Sequence, residues 1–295
     1  MCALNVVKGM RLFMKKVWQA GGVILLFLFS LYYTEKVVDV LREKDPIMQT
    51  IRKEEHKYYE EAVDAVLTDN SIVPGAKGSK VNVDESYKKM KQYGSYKESL
   101  LVFEEVDPSV SLDDYYDRYI ESGNGLDGSV SLVFKVERED SIDSLLTILE
   151  TSGEKATFFV DGLWLENNQE LVSNMTSLGH EVEVMHYNGT YDEVYFTSAI
   201  QILNSITTQN KNYCYAEYDQ KEVLDLCSKL GLHTIIPTLQ VKNKPYMEVK
   251  KKVSDGSIIS MKVDGNTEAE LEMVLKYLNQ KGYTLSSLDS LLTEK

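Results

Sequence analysis

The sequence predicts an α/β fold, with parallel strands covered by helices, preceded by an N-terminal transmembrane helix, a helical stalk and a small α+β module. Three observations predict it. From residue 129 onward, short apolar β-branched runs alternate with amphipathic helical segments, the pattern of parallel strands joined by crossover helices. A barrel and a doubly wound sheet both satisfy it. Between Lys16 and Glu35 lie eighteen uncharged residues, enough for a helix of about 27 Å, which just spans a hydrocarbon core. Between these two regions the chain is first charged and helical, then rich in turn formers from residue 69.

Composition narrows the function classes. With 295 residues and 43% hydrophobic content the chain can fill a core and is not a disordered tail. Thirty-two basic residues against 46 acidic give a net charge of −14, so the electrostatic footprint of a nucleic-acid-binding protein is missing and no nucleic-acid partner is expected. Cysteines at 2, 214 and 227 are too few for a disulfide scaffold or a cysteine-built zinc site. A Cys214–Cys227 bridge is compatible with the sequence, but nothing in it supports one.

The first segment, 1–34, reads as a basic cytoplasmic leader and signal-anchor. Lys8, Arg11, Lys15 and Lys16 give residues 1–33 a charge of +4 with no acid, so the remainder carries −18. Trp18 and Tyr32-Tyr33 suit the two membrane interfaces, and the leading cations hold the N-terminus in the cytoplasm. Residues 17–34 would then attach a single-pass protein to the cell membrane, its bulk extracytoplasmic. A cleavable signal peptide competes, but the run ends Phe-Ser-Leu-Tyr-Tyr-Thr, without an A-x-A site.

Residues 35–68 form the predicted stalk. Val37, Val38 and Leu41, and later Ala62, Val63 and Val66, recur at helical steps, with a break at Pro46 between a short helix and a longer one. Residues 69–125 form the accessory module, with a helix starting near Asp84-Glu85-Ser86 and a strand at Leu100–Phe103. Its tyrosines, 87, 93, 96, 115, 116 and 119, offer a sugar-stacking surface or, as the preferred reading, complete the module's core. After Ser122-Gly123-Asn124-Gly125 come strands at Ser129–Val136, Ala156–Val160, Val182–Met185, Tyr213–Tyr215, His233–Ile236 and Ser257–Met261. Helices fall at Ile142–Leu149, Asn168–Leu178, Thr197–Ile206, Glu222–Leu230 and Glu268–Leu278.

The wording of these segments adds a resemblance. Lys155-Ala156-Thr157-Phe158-Phe159-Val160-Asp161-Gly162, followed by Gly179-His180-Glu181-Val182, resembles the core of the polysaccharide deacetylase family, the NodB-homology domain of carbohydrate esterase family 4. Ser129-Val130-Ser131-Leu132-Val133-Phe134 resembles that domain's first strand. Gly256-Ser257-Ile258-Ile259-Ser260-Met261 and Lys281-Gly282-Tyr283-Thr284-Leu285-Ser286-Ser287-Leu288 resemble its last strand and closing helix. No phrase is specific alone; four in order over residues 129–295 are. The resemblance implies a distorted (β/α)7 barrel of NodB type with its cleft at the carboxyl ends of the strands. The 69–125 module is similar to segments preceding this domain in membrane-anchored bacterial homologues.

Family chemistry is metal-assisted removal of acetyl groups from glycan amides. One Asp and two His hold a divalent ion, a second Asp takes a proton from water, and a late His protonates the leaving amine. In this chain the adjacent aspartates are replaced by Lys135 and Val136, the two metal histidines by Met185 and Gly189, and the late histidine by Lys262. His186 lies one place late and could take a ligand's role only across a bulge. The segment expected to line the cleft is Tyr213-Cys214-Tyr215-Ala216. Glu137, Glu139 and Asp140 read as a solvated loop, and Asp161 and Asp264 as turn residues or caps.

These losses predict no catalytic residue and no metal cofactor, with Lys135, His186, Tyr215 and Lys262 as candidate cleft-binding groups. The expected function is a membrane-anchored, deacetylase-like pseudoenzyme facing the cell wall, binding cell-wall polysaccharide or peptidoglycan or acting as a scaffold. One alternative is an active deacetylase with a displaced site, holding zinc or another divalent metal through His186 or His233 and the acids after the first strand. Another is an envelope interaction protein acting through residues 35–125. The protein partner is not legible.

Overall fold

The computed structural model describes residues 29–30, 32, 36–208 and 213–294. The anchor expected over 17–34 therefore lies outside the described residues except at Phe29, Ser30 and Tyr32. Among the described residues no helix is long and apolar enough to cross a membrane. The chain divides into two units, residues up to 60 with 79–105, and 61–78 with 106–295. The 69–125 segment thus contributes to both.

In the first unit residues 36–43 are helical, followed by a helix at Pro46–Glu54. Proline at the first helical position and Asp45, whose Oδ1 accepts the Ile47 N–H at 2.9 Å, set that start. A helix at Val83–Tyr93 packs Met90 with Ile51 and Val81, and Tyr87 and Tyr96 lean on the same cluster. The strand expected at Leu100–Phe103 instead begins at Phe103 and runs to Val106.

The second unit holds the alternating strands and helices. Its strands are β1 (Val66–Leu67), β2 (Ser71–Val73), β3 (Tyr119–Ile120), β4 (Ser129–Val136), β5 (Thr157–Asp161), β6 (Glu181–His186), β7 (Tyr213–Tyr215), β8 (His233–Ile235), β9 (Leu239–Gln240), β10 (Ile258–Lys262) and β11 (Thr284–Ser286). Its helices are α1 (Asp143–Ser152), α2 (Gly162–Asn167), α3 (Gln169–Ser177), α4 (Glu193–Ile206), α5 (Lys221–Lys229), α6 (Pro245–Lys252), α7 (Gly265–Lys281) and α8 (Leu288–Leu292). Among the described residues, the strands order as β9-β10-β4-β5-β6, with β11 also on β4, and as β1-β2-β3-β8-β7. All these pairs are parallel except β1–β2. The stalk helix does not reach Leu67: Val66 and Leu67 pair with Ile72 and Val73, as suits β-branched residues followed by an Asn-Ser turn.

Every residue of β4 is buried, as in a strand covered on both faces. Val130, Leu132, Phe134 and Val136 join one cluster with helix residues such as Leu145, Leu149, Val274 and Leu278. Val133 faces the other way and meets Phe159, Met185, Tyr213, Tyr215, Ile235 and Ile258, so inward side chains of both sheets share one interior. Burying each large apolar side chain contributes about 1.5–3 kcal/mol. The ladder is interrupted between β6 and β7, where Glu183 Oε2 accepts the Tyr213 N–H at 3.1 Å. Helix α8 closes the amino ends of the strands: Leu288 N–H donates to Thr157 Oγ1 at 3.0 Å, and Leu288, Leu291 and Leu292 enter the interior. The open end is therefore the carboxyl end.

Cys214 of β7 and Cys227 of α5 form a disulfide that the sequence left open. Removing it by Cys227→Ala should cost about 2–4 kcal/mol of unfolding free energy, read by urea denaturation; an unchanged midpoint would show the bond to be unimportant. His180 supplies a pH test. Its Nδ1 accepts the Ala156 N–H at 3.3 Å in a buried place, and burial, then the Lys155 charge, push it down to about 4 from 6.5. The unfolded chain binds that proton first, so this contribution is present above pH 6.5 and is lost as pH falls towards 4. Between pH 7 and pH 5 the protein should lose about 1–2 kcal/mol more than a His180→Asn variant; equal losses would refute this.

Candidate functional site

At the open end a cleft of about 520 Å³ is lined by Lys135, Tyr215, Glu217, Gln240, Lys242 and Lys262 among others. Lys135 belongs to the inward alternation of β4 and Lys262 is its register partner on β10, so both leave the same face of the sheet. Lys135 is 7% exposed and ion-pairs with Glu217, with its Nζ 5.5 Å from the centre of the Tyr215 ring. The hydrogen bond from Lys135 holds the Glu217 carboxyl below the usual range against its partial burial, and the charges of Lys135, Lys262 and His186 add to this. Tyr215 is fixed by its hydroxyl to Ser260 Oγ at 2.9 Å and by Tyr191, whose hydroxyl donates to the Tyr215 carbonyl at 2.6 Å. Val136 is absent from this face and packs in the outer cluster.

Beside the cleft the β5–β6 register shifts between Val160 and Asp161, so that Val160 pairs with Val184 but Asp161 with His186. This is the bulge that His186 needed. Met185 keeps its inward place by the ordinary alternation, 2% exposed, and the shift sets His186 Nδ1 2.8 Å from Asp161 Oδ2 and Nε2 3.4 Å from Glu137 Oε2. Asp161 also caps α2, its Oδ1 accepting from Leu163 and Trp164 at 2.9 and 3.4 Å, while Oδ2 accepts the Gly189 N–H at 3.2 Å. Burial works against its charge, yet the hydrogen bonds from His186, Gly189 and Leu163 hold it below the ordinary carboxylate range. Gly162 lets this corner close: a Cβ there would lie 2.5 Å from the Tyr187 ring. Asn188 and Gly189 both have positive φ, 49° and 73°, in the tight turn joining Tyr187 and Thr190.

The residues present do not fit the divalent ion that the family resemblance implies. An ammonium stands at 135, a buried thioether at 185 and a side-chain-free turn residue at 189, while both His186 nitrogens face carboxylates. Among the described residues no group of three or more His, Cys, Asp or Glu could hold a metal. Asp140 Oδ2 accepts the Glu137 N–H at 2.8 Å, Glu139 pairs with Arg138, and Asp264 caps α7 through Thr267 N–H at 2.9 Å. His233 is excluded from the cleft: as first residue of β8 it lies at the amino end, buried, stacked on Tyr116 at 4.2 Å and 3.2 Å from Asp113. Sequence reasoning missed Glu217; its one signal was an acid just after a predicted strand. Asp161→Asn should lower stability by about 1–3 kcal/mol, because its amide would face the Gly189 N–H donor to donor. Urea denaturation and faster exchange of the Gly189 amide proton check this; an unchanged amide would sink it.

Comparison with known proteins fits this architecture. Residues 122–232 match the family model for polysaccharide deacetylase. The chain is 29% identical over 276 residues to YlxY, an uncharacterized protein of Bacillus subtilis, covering 87% of this chain and 86% of that one. It is similar to the structure of a wild-type pseudoenzyme of carbohydrate esterase family 4 from Bacillus anthracis, with a TM-score of 0.64, 23% identity, and coverage of 85% and 96% of the two chains. Bacillus subtilis PdaA, a family 4 carbohydrate esterase, shares the fold at a TM-score of 0.53 and 21% identity, over 60% of this chain and 85% of that one. Residues 122–232 are thus similar to the polysaccharide deacetylase family, within a fold shared with these solved structures.

Proposed function

We propose that this protein is a catalytically inactive, deacetylase-like glycan-binding protein, anchored in the membrane and facing the cell wall. One observation carries the reading: the buried Lys135 ammonium, paired with Glu217, stands at the carboxyl end of the first strand of the family-like domain, where the resemblance expects metal and base carboxylates. A cation there repels a second cation, and it cannot polarise an amide carbonyl and its attacking water together as a metal ion does. Replacement at 185, 189 and 262 supports the same conclusion. The cleft itself persists, with tyrosine, glutamine and lysine groups suited to sugar oxygens.

The location rests on the basic leader and the uncharged run over 17–34. The Cys214–Cys227 bond supports an oxidising compartment outside the cytoplasm. A solved structural neighbour described as a pseudoenzyme makes loss of catalysis on this fold a known outcome for that protein. A second reading, a displaced hydrolytic centre, is favoured by the meeting of His186 with Asp161 and Glu137.

Two measurements separate them. The full-length protein, incubated with N-acetylglucosamine oligomers and zinc or cobalt, should release no acetate above background, and metal analysis should find less than stoichiometric zinc. Metal-dependent acetate release, or one zinc per chain that vanishes in His186→Ala, would select the displaced centre instead.

A further inference from the structure

The charge of the cleft specifies the ligand more closely, an inference that rests on reading it as a glycan groove. Lys135 and Lys262 are register partners on adjacent parallel strands, and like charges directly opposite are unfavourable. Glu217 is the one acidic residue of the lining and is engaged by Lys135. Lys262 and Lys242 are both exposed, and among the described residues neither side chain has an ion-pair partner. Three ammonium groups against one carboxylate leave +2 in this cleft, within a chain of net charge −14. The loop carrying Lys242 is held in place: Glu248 Oε1 accepts the N–H groups of Lys242, Asn243 and Lys244 at 3.2, 3.1 and 3.3 Å. A lysine ammonium is a compact charge with three rotatable donors, so it accepts either a planar or a tetrahedral oxyanion.

We propose that the cleft binds an anionic glycan, with a carboxylate or phosphate of the sugar chain seated at Lys262 and Lys242 while Lys135 stays with Glu217. Tyr215 inside the cleft and Tyr218, 64% exposed, supply ring faces for the sugar carrying that anion.

The test is calorimetric titration of the full-length protein with three probes: a hexasaccharide alternating N-acetylglucosamine and glucuronate, a glycosylated glycerol-phosphate oligomer, and neutral chitohexaose. At least one anionic probe should bind tenfold or more tighter than chitohexaose, and its advantage should shrink between 50 and 300 mM salt. Which anionic probe wins identifies the source as carboxylate or phosphate. A Lys262→Gln, Lys242→Gln double variant, both positions exposed and its folding checked by thermal melting, should lose that advantage, binding anionic and neutral probes alike. Equal affinity for neutral and anionic probes would overturn the anion assignment and leave the glycan groove standing. No binding of any probe would overturn both.

Discussion

Burying an ammonium requires an anion beside it, because removing either charge from water unpaired costs several kcal/mol. Lys135 imposes that requirement on the carboxyl-end face of the strands. Its partner Glu217 lies 82 positions later, in the segment after β7, so the chain there must be held in place. The disulfide joins β7 to α5, Tyr191 donates to the Tyr215 carbonyl, and Gln240 donates to the Glu217 carbonyl. An ion pair on a solvated surface would contribute little. Here one member is almost wholly enclosed, and the surrounding bonds serve to keep the other within reach.

The corner between β5 and β6 works by a different device. A register shift presents His186 to Asp161 while Met185 stays inside. Asp161 is satisfied on both oxygens by the start of α2, by the Gly189 N–H and by His186. These bonds tie the ends of β5 and β6 and the start of α2 together at one carboxylate. The left-handed Asn188-Gly189 turn completes the corner, and it depends on a residue without Cβ.

Six of the strands from 129 onward were legible as short apolar runs, as Ser129–Val136 shows, whereas β9 and β11, two and three residues long and partly exposed, were not. Residues 59–67 were not: Val63 and Val66 stand at helical steps, but pairing with Ala76 and Val73 made them extended. Tertiary pairing outweighed a weak periodic signal there. The six tyrosines predicted as one module's set serve two units, with Tyr87 on the cluster around Met90 and Tyr119 buried in the sheet of the other. At the cleft, Lys135 and Lys262 could be read as substitutions, since a lysine where an acid or imidazole is expected is visible in one dimension. Glu217 could not, because only the meeting of β4 with the segment after β7, from the other sheet, gives it a partner. The bulge at His186 and the Cys214–Cys227 bond were open for the same reason: each depends on a distance that sequence separation does not encode.

The side chains at 135, 185 and 189 are each held by their surroundings. An acid at 135 would face Glu217 across the distance now spanned by an ion pair, and two carboxylates sharing a site cannot both ionise freely. A histidine at 185 would place imidazole among Phe159, Tyr213 and Tyr215, where Met185 is now enclosed and an unpaired ring N–H would cost about 1–3 kcal/mol. A histidine at 189 would have to adopt φ near 73°, a conformation strained for a side-chain-bearing residue. Each such change thus conflicts with the packing, pairing or turn now present. An acid at 135 or a histidine at 185 or 189 would meet opposition from its surroundings, so packing, pairing and turn geometry together fix these three positions.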